Sequence, residues 1–464
     1  MKKVISICLV FFIALTMMMS AALAAPEYTG KINSKIAVLL MDADSGRELY
    51  SQNRDAQISP ASTTKILTCL LAIENSSMTD VVTISKKAGS MKTGSILGIK
   101  NGEKIVMKDL LVGLMLVSGN DAAIAVAEHV SGSVDEFVAL MNSKAQEIGM
   151  TSSNFTNPNG LHDDNLKSNV VDMAKLAQYA MKNPTFMEIV GTKEYKLPKT
   201  NKQPERKLEN SNQLMDEKSK NYYSGVTGMK TGRTSNAGGC LVASATKDGM
   251  NLVCVVFNDH TPNRTDRWPA ARSLFDYGFD NFMTIDVSPL LKSAAPVQTQ
   301  VEGYALDDSA SGLLVFKTPN VSSLYVTLDK TEAQALLDGT DSIEVVPVFD
   351  KEPPLKAPVE EGDIFGTVSY KSSSTGEILY SDNLIASRSV FEEGSQGGTA
   401  VVTLTPSPTK TIEDDHKKNE TLTILIVVGI SAALIVFLVI RMITVRRNKR
   451  FKKRRKPHYS YRIK

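Results

Sequence analysis

The chain has 464 residues, 53 of them Lys or Arg and 50 Asp or Glu, and 42% are hydrophobic. That length admits more than one domain. Four cysteines and five scattered histidines show no zinc-type spacing and cannot make a disulfide framework, so nothing in the composition calls for a metal or another cofactor.

Met1-Lys2-Lys3 is a short basic start, residues 4–19 are apolar, and Ala22-Leu23-Ala24 is a small-residue cleavage pattern. Residues 1–24 therefore read as a secretory signal peptide. Two strands at 35–42 and 48–50 follow, joined by Ala43-Asp44-Ser45-Gly46 with Gly at the turn. Ser59-Pro60 is a helix-start signal, and Ile66, Leu67, Leu70, Leu71 and Ile73 make an apolar face at helical spacing, so a helix is expected over 62–75. Further helical patterns cover 107–117, 122–130, 134–148 and 171–182. From Tyr223 the pattern turns to strands at 225–230, 238–245 and 251–258, closed by a helix at 267–277. Strands at both ends of a helical middle predict an α/β (α+β) domain with one antiparallel sheet over residues 28–285.

Residues 290–395 read as β throughout, with runs at 313–316, 324–328, 343–348 and 364–370 between Gly, Asp and Ser turns. They predict a small all-β domain of the sandwich type. Residues 396–421 have the composition of a flexible linker. Residues 422–440 are 19 positions without a charge, about 28 Å of helix, which predicts one transmembrane crossing. The last 24 residues, 441–464, hold 12 Lys or Arg and no acid. By the positive-inside rule this tail is cytoplasmic, where anionic lipid headgroups are its expected partner. Residues 25–420 are then extracytoplasmic and carry 39 basic against 50 acidic residues, a balance of about −11 that does not favour nucleic acid.

Cys8 leaves with the signal. Cys69 falls in the apolar helix after Ser62, where a buried thiol is the plain expectation. Cys240 and Cys254 flank a hairpin turn in registers that do not set them opposite each other, which argues against a bridge.

Three short motifs carry chemistry in a fixed order: Ser62-Thr63-Thr64-Lys65, Ser118-Gly119-Asn120 and Lys230-Thr231-Gly232. Each triplet alone is weak, since SxxK recurs at Ser244/Lys247 and Ser407/Lys410, and a second KTG stands at Lys92-Thr93-Gly94. Context separates them, because only Ser62 opens an amphipathic helix. Residues three apart on a helix share a face, so Ser62 and Lys65 can meet. A serine hydroxyl needs a base to become a nucleophile, and a desolvated lysine can serve. Gly232 at a strand end lets a ligand approach the backbone. Lys230 and Thr231 offer a cation and a hydroxyl suited to a carboxylate.

In this order the motifs resemble those of the serine D-alanyl-D-alanine carboxypeptidases, the low-molecular-mass penicillin-binding proteins. Residues 109–117 resemble the family's helix into its SGN loop. Asn157-Pro158-Asn159-Gly160-Leu161-His162, Lys230 through Gly238, and Glu361-Gly362-Asp363-Ile364-Phe365-Gly366 are also similar to family segments. The resemblance implies a penicillin-binding/β-lactamase-like catalytic fold, a peptidoglycan stem peptide as substrate and β-lactam antibiotics as inhibitors. It implies Ser62 as acylated nucleophile, Lys65 as general base and Ser118 as proton relay to the leaving D-alanine. Asn120 would bind a substrate amide and orient Lys65, and Lys230, Thr231 and Gly232 would receive the terminal carboxylate. The backbone N–H groups of Ser62 and Arg233 would form the oxyanion hole. Two departures stand out: residues 166–174 lack the family's His, and Arg233 replaces a frequent aromatic or His. Two other readings compete, a silent peptidoglycan-binding scaffold and a β-lactamase. No Glu-x-x-Leu-Asn segment of the class A β-lactamase kind is present.

Overall fold

The computed structural model describes residues 26–395, so the signal peptide, linker, membrane crossing and basic tail expected above lie outside the described residues. Among the described residues no helix is long and apolar enough to cross a membrane.

A five-stranded antiparallel sheet runs in the order Glu48–Gln52, Ala37–Asp42, Met250–Asp259, Gly238–Lys247, Val226–Thr234. Its central strands are apolar at nearly every position because both faces are covered. Ala37, Leu39 and Met41 join one core with a helical layer, while Ile36, Val38 and Leu40 join another with Trp268, Leu274 and Phe275. The helical layer contains Lys65–Asn75, Met107–Leu116, Asn120–Ser131, Val134–Ile148 and Val170–Met181. Helix Arg267–Asn281 covers the opposite face. Local signals set the helix ends. Ser133 and Asn169 cap two N-termini through their side chains, and Gly132 and Gly149 close two C-termini in the left-handed conformation.

Several small elements escape the hydrophobic pattern. Helix Pro184–Gly191 and the two-strand pairs Val81–Thr83 with Lys104–Val106 and Glu194–Leu197 with Arg206–Glu209 are each too short to show a period. The first turn of the expected 62–75 helix is a 3-10 turn, Ala61–Thr64. Cys69, Cys240 and Cys254 are free and buried, with Cys240 and Cys254 in the cores on opposite sides of the sheet.

Beyond the closing helix a third core gathers Ile285, Val301, Leu314, Leu328, Leu336 and Val368. Its strands form two three-stranded sheets and one pair, Phe282–Asp286 with Tyr325–Asp329. The expectation of an all-β region needs correction here, because Lys330–Leu337 is a helix and Ser288–Ser293 a shorter one. Asp329 accepts a hydrogen bond from the Thr331 N–H at the start of Lys330–Leu337, and Ala333 and Leu336 bury its inner face. Two buried apolar positions in eight residues are too few for a sequence pattern to register.

This third core is pinned to the first hairpin. The fully buried Asp42 carboxylate accepts from the Ser45 N–H at 2.7 Å, the Ser45 hydroxyl at 2.8 Å and the Thr284 hydroxyl at 2.8 Å. The Ser45 and Thr327 hydroxyls lie 2.6 Å apart, and Arg47 pairs with Glu377 at 2.7 Å.

Candidate active site

The 3-10 turn that holds Ser62 enters the buried helix Lys65–Asn75, and two glycines pack closely against it. A Cβ at Gly160, where φ is +77°, would stand 1.8 Å from the Ala61 carbonyl oxygen. A Cβ at Gly232 would stand 3.0 Å from the Ser62 nitrogen and 3.1 Å from the Ala61 Cβ. Glycine at both positions is thus what lets strand Val226–Thr234 and the 157–161 loop close on the turn.

Lys65 is fully buried. Its Nζ lies 3.0 Å from Ser62 Oγ, 2.7 Å from Asn120 Oδ1 and 2.5 Å from the Asn159 carbonyl oxygen. Burial, and then the neighbouring Lys230 charge, hold its amine well below the ordinary lysine range, with Asp121 pulling weakly the other way. The carbonyl of Asn159 is held in place from its own loop. Thr68 Oγ1 donates to the Pro158 carbonyl at 2.6 Å, and Asn157 Oδ1 accepts from the Gly160 N–H at 2.7 Å.

Ser118 adopts φ +62°, a left-handed conformation uncommon outside glycine, and is buried at the bend between two helices. Asn120 begins its helix without capping it; its side chain instead turns to Lys65 through Oδ1 and to the Thr93 carbonyl through Nδ2 at 2.8 Å. Next to it, buried Asp121 accepts from the N–H groups of Leu97, Gly98 and Ile99 at 2.8, 2.7 and 3.1 Å. The second KTG triplet, Lys92-Thr93-Gly94, therefore lies against the site. A Cβ at Gly94 would come within 2.6 Å of Asn120 Nδ2.

On the facing strand Lys230 is 1% exposed, and its Nζ donates to the Thr231 carbonyl at 3.1 Å. Burial lowers its pKa to about 7. Thr231 Oγ1 lies 2.9 Å from Ser211 Oγ. Arg233 is exposed one residue past Gly232. Structure thus brings Ser62, Lys65, Asn120 and Gly232 into contact around one turn, with Lys230 close enough to perturb Lys65. Sequence reasoning passed over three participants: the Asn159 carbonyl, Asp121 and Ser211. The first lies in the Asn157–His162 segment, which sequence marks only as similar to a family segment. Ser244, a rejected SxxK serine, is fully buried in the sheet and bonded to Thr227 at 2.7 Å. Among the described residues no cluster of three or more His, Cys, Asp or Glu could hold a metal ion.

A family model described as D-alanyl-D-alanine carboxypeptidase matches residues 20–261. A second, described as membrane protein FAM174-like, matches residues 327–459. The chain is 32% identical over 406 residues to the D-alanyl-D-alanine carboxypeptidase DacF of Bacillus subtilis, covering 85% of this chain and 96% of the relative. It is 32% identical over 372 residues to DacC of Escherichia coli, covering 78% and 85%. Among solved structures, penicillin binding protein 5 of Haemophilus influenzae superposes with a TM-score of 0.63 at 29% identity, covering 79% of this chain and 100% of that one.

Proposed function

This chain belongs to the D-alanyl-D-alanine carboxypeptidase family, and we propose that Ser62 is its acylated nucleophile and Lys65 the base that activates it. The protein is a D,D-carboxypeptidase, a hydrolase that removes the terminal D-alanine of peptidoglycan stem pentapeptides. The observation that carries the assignment of roles is the set of partners around Lys65 Nζ.

A neutral amine has two N–H donors and one lone pair. Asn120 Oδ1 and the Asn159 carbonyl can take only donors, which leaves the lone pair for the Ser62 hydroxyl proton 3.0 Å away. Desolvation and Lys230 favour that neutral form. In the first step Ser62 Oγ attacks the carbonyl carbon of the penultimate D-alanine while its proton passes to Lys65. The developing oxyanion is received by the N–H groups of Ser62 and Arg233. Collapse breaks the C–N bond, and the leaving nitrogen takes a proton relayed through Ser118. A water molecule, deprotonated by the same amine, then hydrolyses the acyl-enzyme. Lys230 and Thr231 receive the terminal carboxylate, Gly232 keeps the strand close, and Asn120 Nδ2 binds a substrate amide.

A β-lactam carries a strained acyl group and a carboxylate, so it enters the same steps and stops at the acyl-enzyme. Residues 28–285 are assigned to catalysis and 290–395 to an accessory domain. Residues 422–440 are assigned to a single membrane crossing, with 441–464 on its cytoplasmic side against anionic lipid. The match of residues 327–459 to a membrane protein family supports that anchoring. The test is the intact mass of the protein after incubation with benzylpenicillin, with the adduct mapped. One adduct on Ser62 is expected; an adduct elsewhere, or none on folded protein, would reject the assignment.

A further inference from the structure

Ser211 stands outside every motif, yet its hydroxyl is 2.9 Å from that of Thr231. We propose that Ser211 is a second carboxylate-binding residue, its hydroxyl and that of Thr231 each engaging one oxygen of the substrate's terminal carboxylate. This rests on the assignment of the Ser62 site given above.

The placement of Ser211 is built rather than incidental. Both neighbours are asparagines whose side chains are spent on backbone carbonyls. Asn210 Nδ2 donates to the Thr192 carbonyl at 2.9 Å, and buried Asn212 donates to the Gly228 carbonyl at 3.2 Å. The Ser211 N–H donates to the Leu116 carbonyl at 3.2 Å, at the end of the helix that leads into Ser118. Three attachments, to strand Val226–Thr234, to the segment after helix Pro184–Gly191 and to helix Met107–Leu116, thus fix an exposed hydroxyl beside Thr231.

Two hydroxyls at that separation suit the two oxygens of one carboxylate, as paired donors do in forked carboxylate recognition. In the free protein one hydroxyl donates to the other, which keeps its own O–H free to donate. An arriving anion accepts from both, so the pair exchanges one neutral hydrogen bond for two charge-assisted ones. Lys230 supplies charge to that anion from an almost wholly buried position, and Ser211 adds an exposed donor beside Thr231.

The test is steady-state kinetics on a peptide ending in D-Ala-D-Ala, run beside the same peptide with a terminal carboxamide, for the wild type, Ser211→Ala and Ser211→Thr. Loss of one hydrogen bond to a charged group predicts about a tenfold fall in kcat/KM for Ser211→Ala on the free acid, carried by KM. The carboxamide should be unaffected, and Ser211→Thr should restore the free-acid KM. An unchanged KM in Ser211→Ala, a loss confined to kcat, or an equal loss on both peptides would overturn the proposal. Unfolding temperatures of the variants separate a binding defect from a folding one. If the wild type itself forms no benzylpenicillin adduct on Ser62, the site assignment falls and this inference falls with it. A normal adduct with unchanged Ser211→Ala kinetics removes the inference alone.

Discussion

Two buried lysines face each other across the site, and their surroundings differ. Lys65 has three hydrogen-bond partners within 3.0 Å, from a side chain of its own turn, a helix start and a loop carbonyl. Lys230 has one, the carbonyl of the next residue. Both amines are held below the ordinary lysine range by burial. The first is therefore oriented before any substrate arrives, while the second keeps donors free for an anion. Preorganisation has been built on the side where a proton must move, and vacancy for charge on the side where a ligand must dock.

The largest expected effect breaks the comparison at its reacting atom. Ser62→Ala should lower D-alanine release by on the order of 10⁴-fold or more and abolish the benzylpenicillin adduct. Wild-type-like release by that variant would remove Ser62 from the mechanism. Next, Lys65→Met should lower the acylation rate by about 10²- to 10⁴-fold, with a smaller change in KM, as measured by stopped-flow acylation. Gly160→Ala should lower the acylation rate by about 10-fold or more in whatever fraction folds, because its Cβ would overlap the Ala61 carbonyl that carries the nucleophile turn. Full activity there would mean that the turn tolerates displacement.

A pH profile sharpens the contrast between the two lysines. Lys65 must be neutral to accept a proton, so acylation rises as pH rises through its ionisation. Lys230 must be charged to pair with a carboxylate, and its pKa is lowered from 10.5 to about 7. It is therefore an ammonium below about pH 7 and loses its charge above, so KM for the peptide should rise by roughly 10-fold across that region. Lys230→Arg keeps its charge throughout and should flatten that limb. A flat wild-type KM from pH 6 to 9 would show that Lys230 plays no part in anion binding. The smallest effect is expected from removing residues 421–464, which should leave kcat/KM within about 2-fold while releasing the protein from membranes. Loss of activity with folding intact would assign those residues more than anchoring.

Much of this was legible in the chain. The central strands follow from continuous apolar runs and the longer helices from apolar spacing, and the nucleophile helix from a Ser-Pro start followed by an apolar face. The three motifs locate Ser62, Lys65, Asn120 and Lys230 because each is a side chain at a fixed spacing from its neighbours. What remained hidden was of another kind. The Asn159 carbonyl is a backbone atom, which no residue type advertises, and it meets Lys65 from 94 positions away. Asp121 stands in the first turn of its helix, an ordinary place for an acid, whereas its carboxylate gathers the amides of residues 97–99. The triplet at 92–94 looked like a decoy by sequence and proved a neighbour through Thr93. Helix Lys330–Leu337 buries only Ala333 and Leu336 of its apolar residues, too few to stand out among the β-rich runs around it.

The paired glycines at 160 and 232 also bear on how such an enzyme evolves under antibiotic selection. A side chain at Gly160 would run into the Ala61 carbonyl and one at Gly232 would crowd the Ser62 nitrogen, so neither position readily gains bulk that shuts a β-lactam out while admitting the peptide. Substitutions that favour peptide over drug are then expected at the rim, at residues such as Arg233 and Ser211, and under the carboxylate assignment proposed above a change there that repels the drug's carboxylate also weakens binding of the natural substrate.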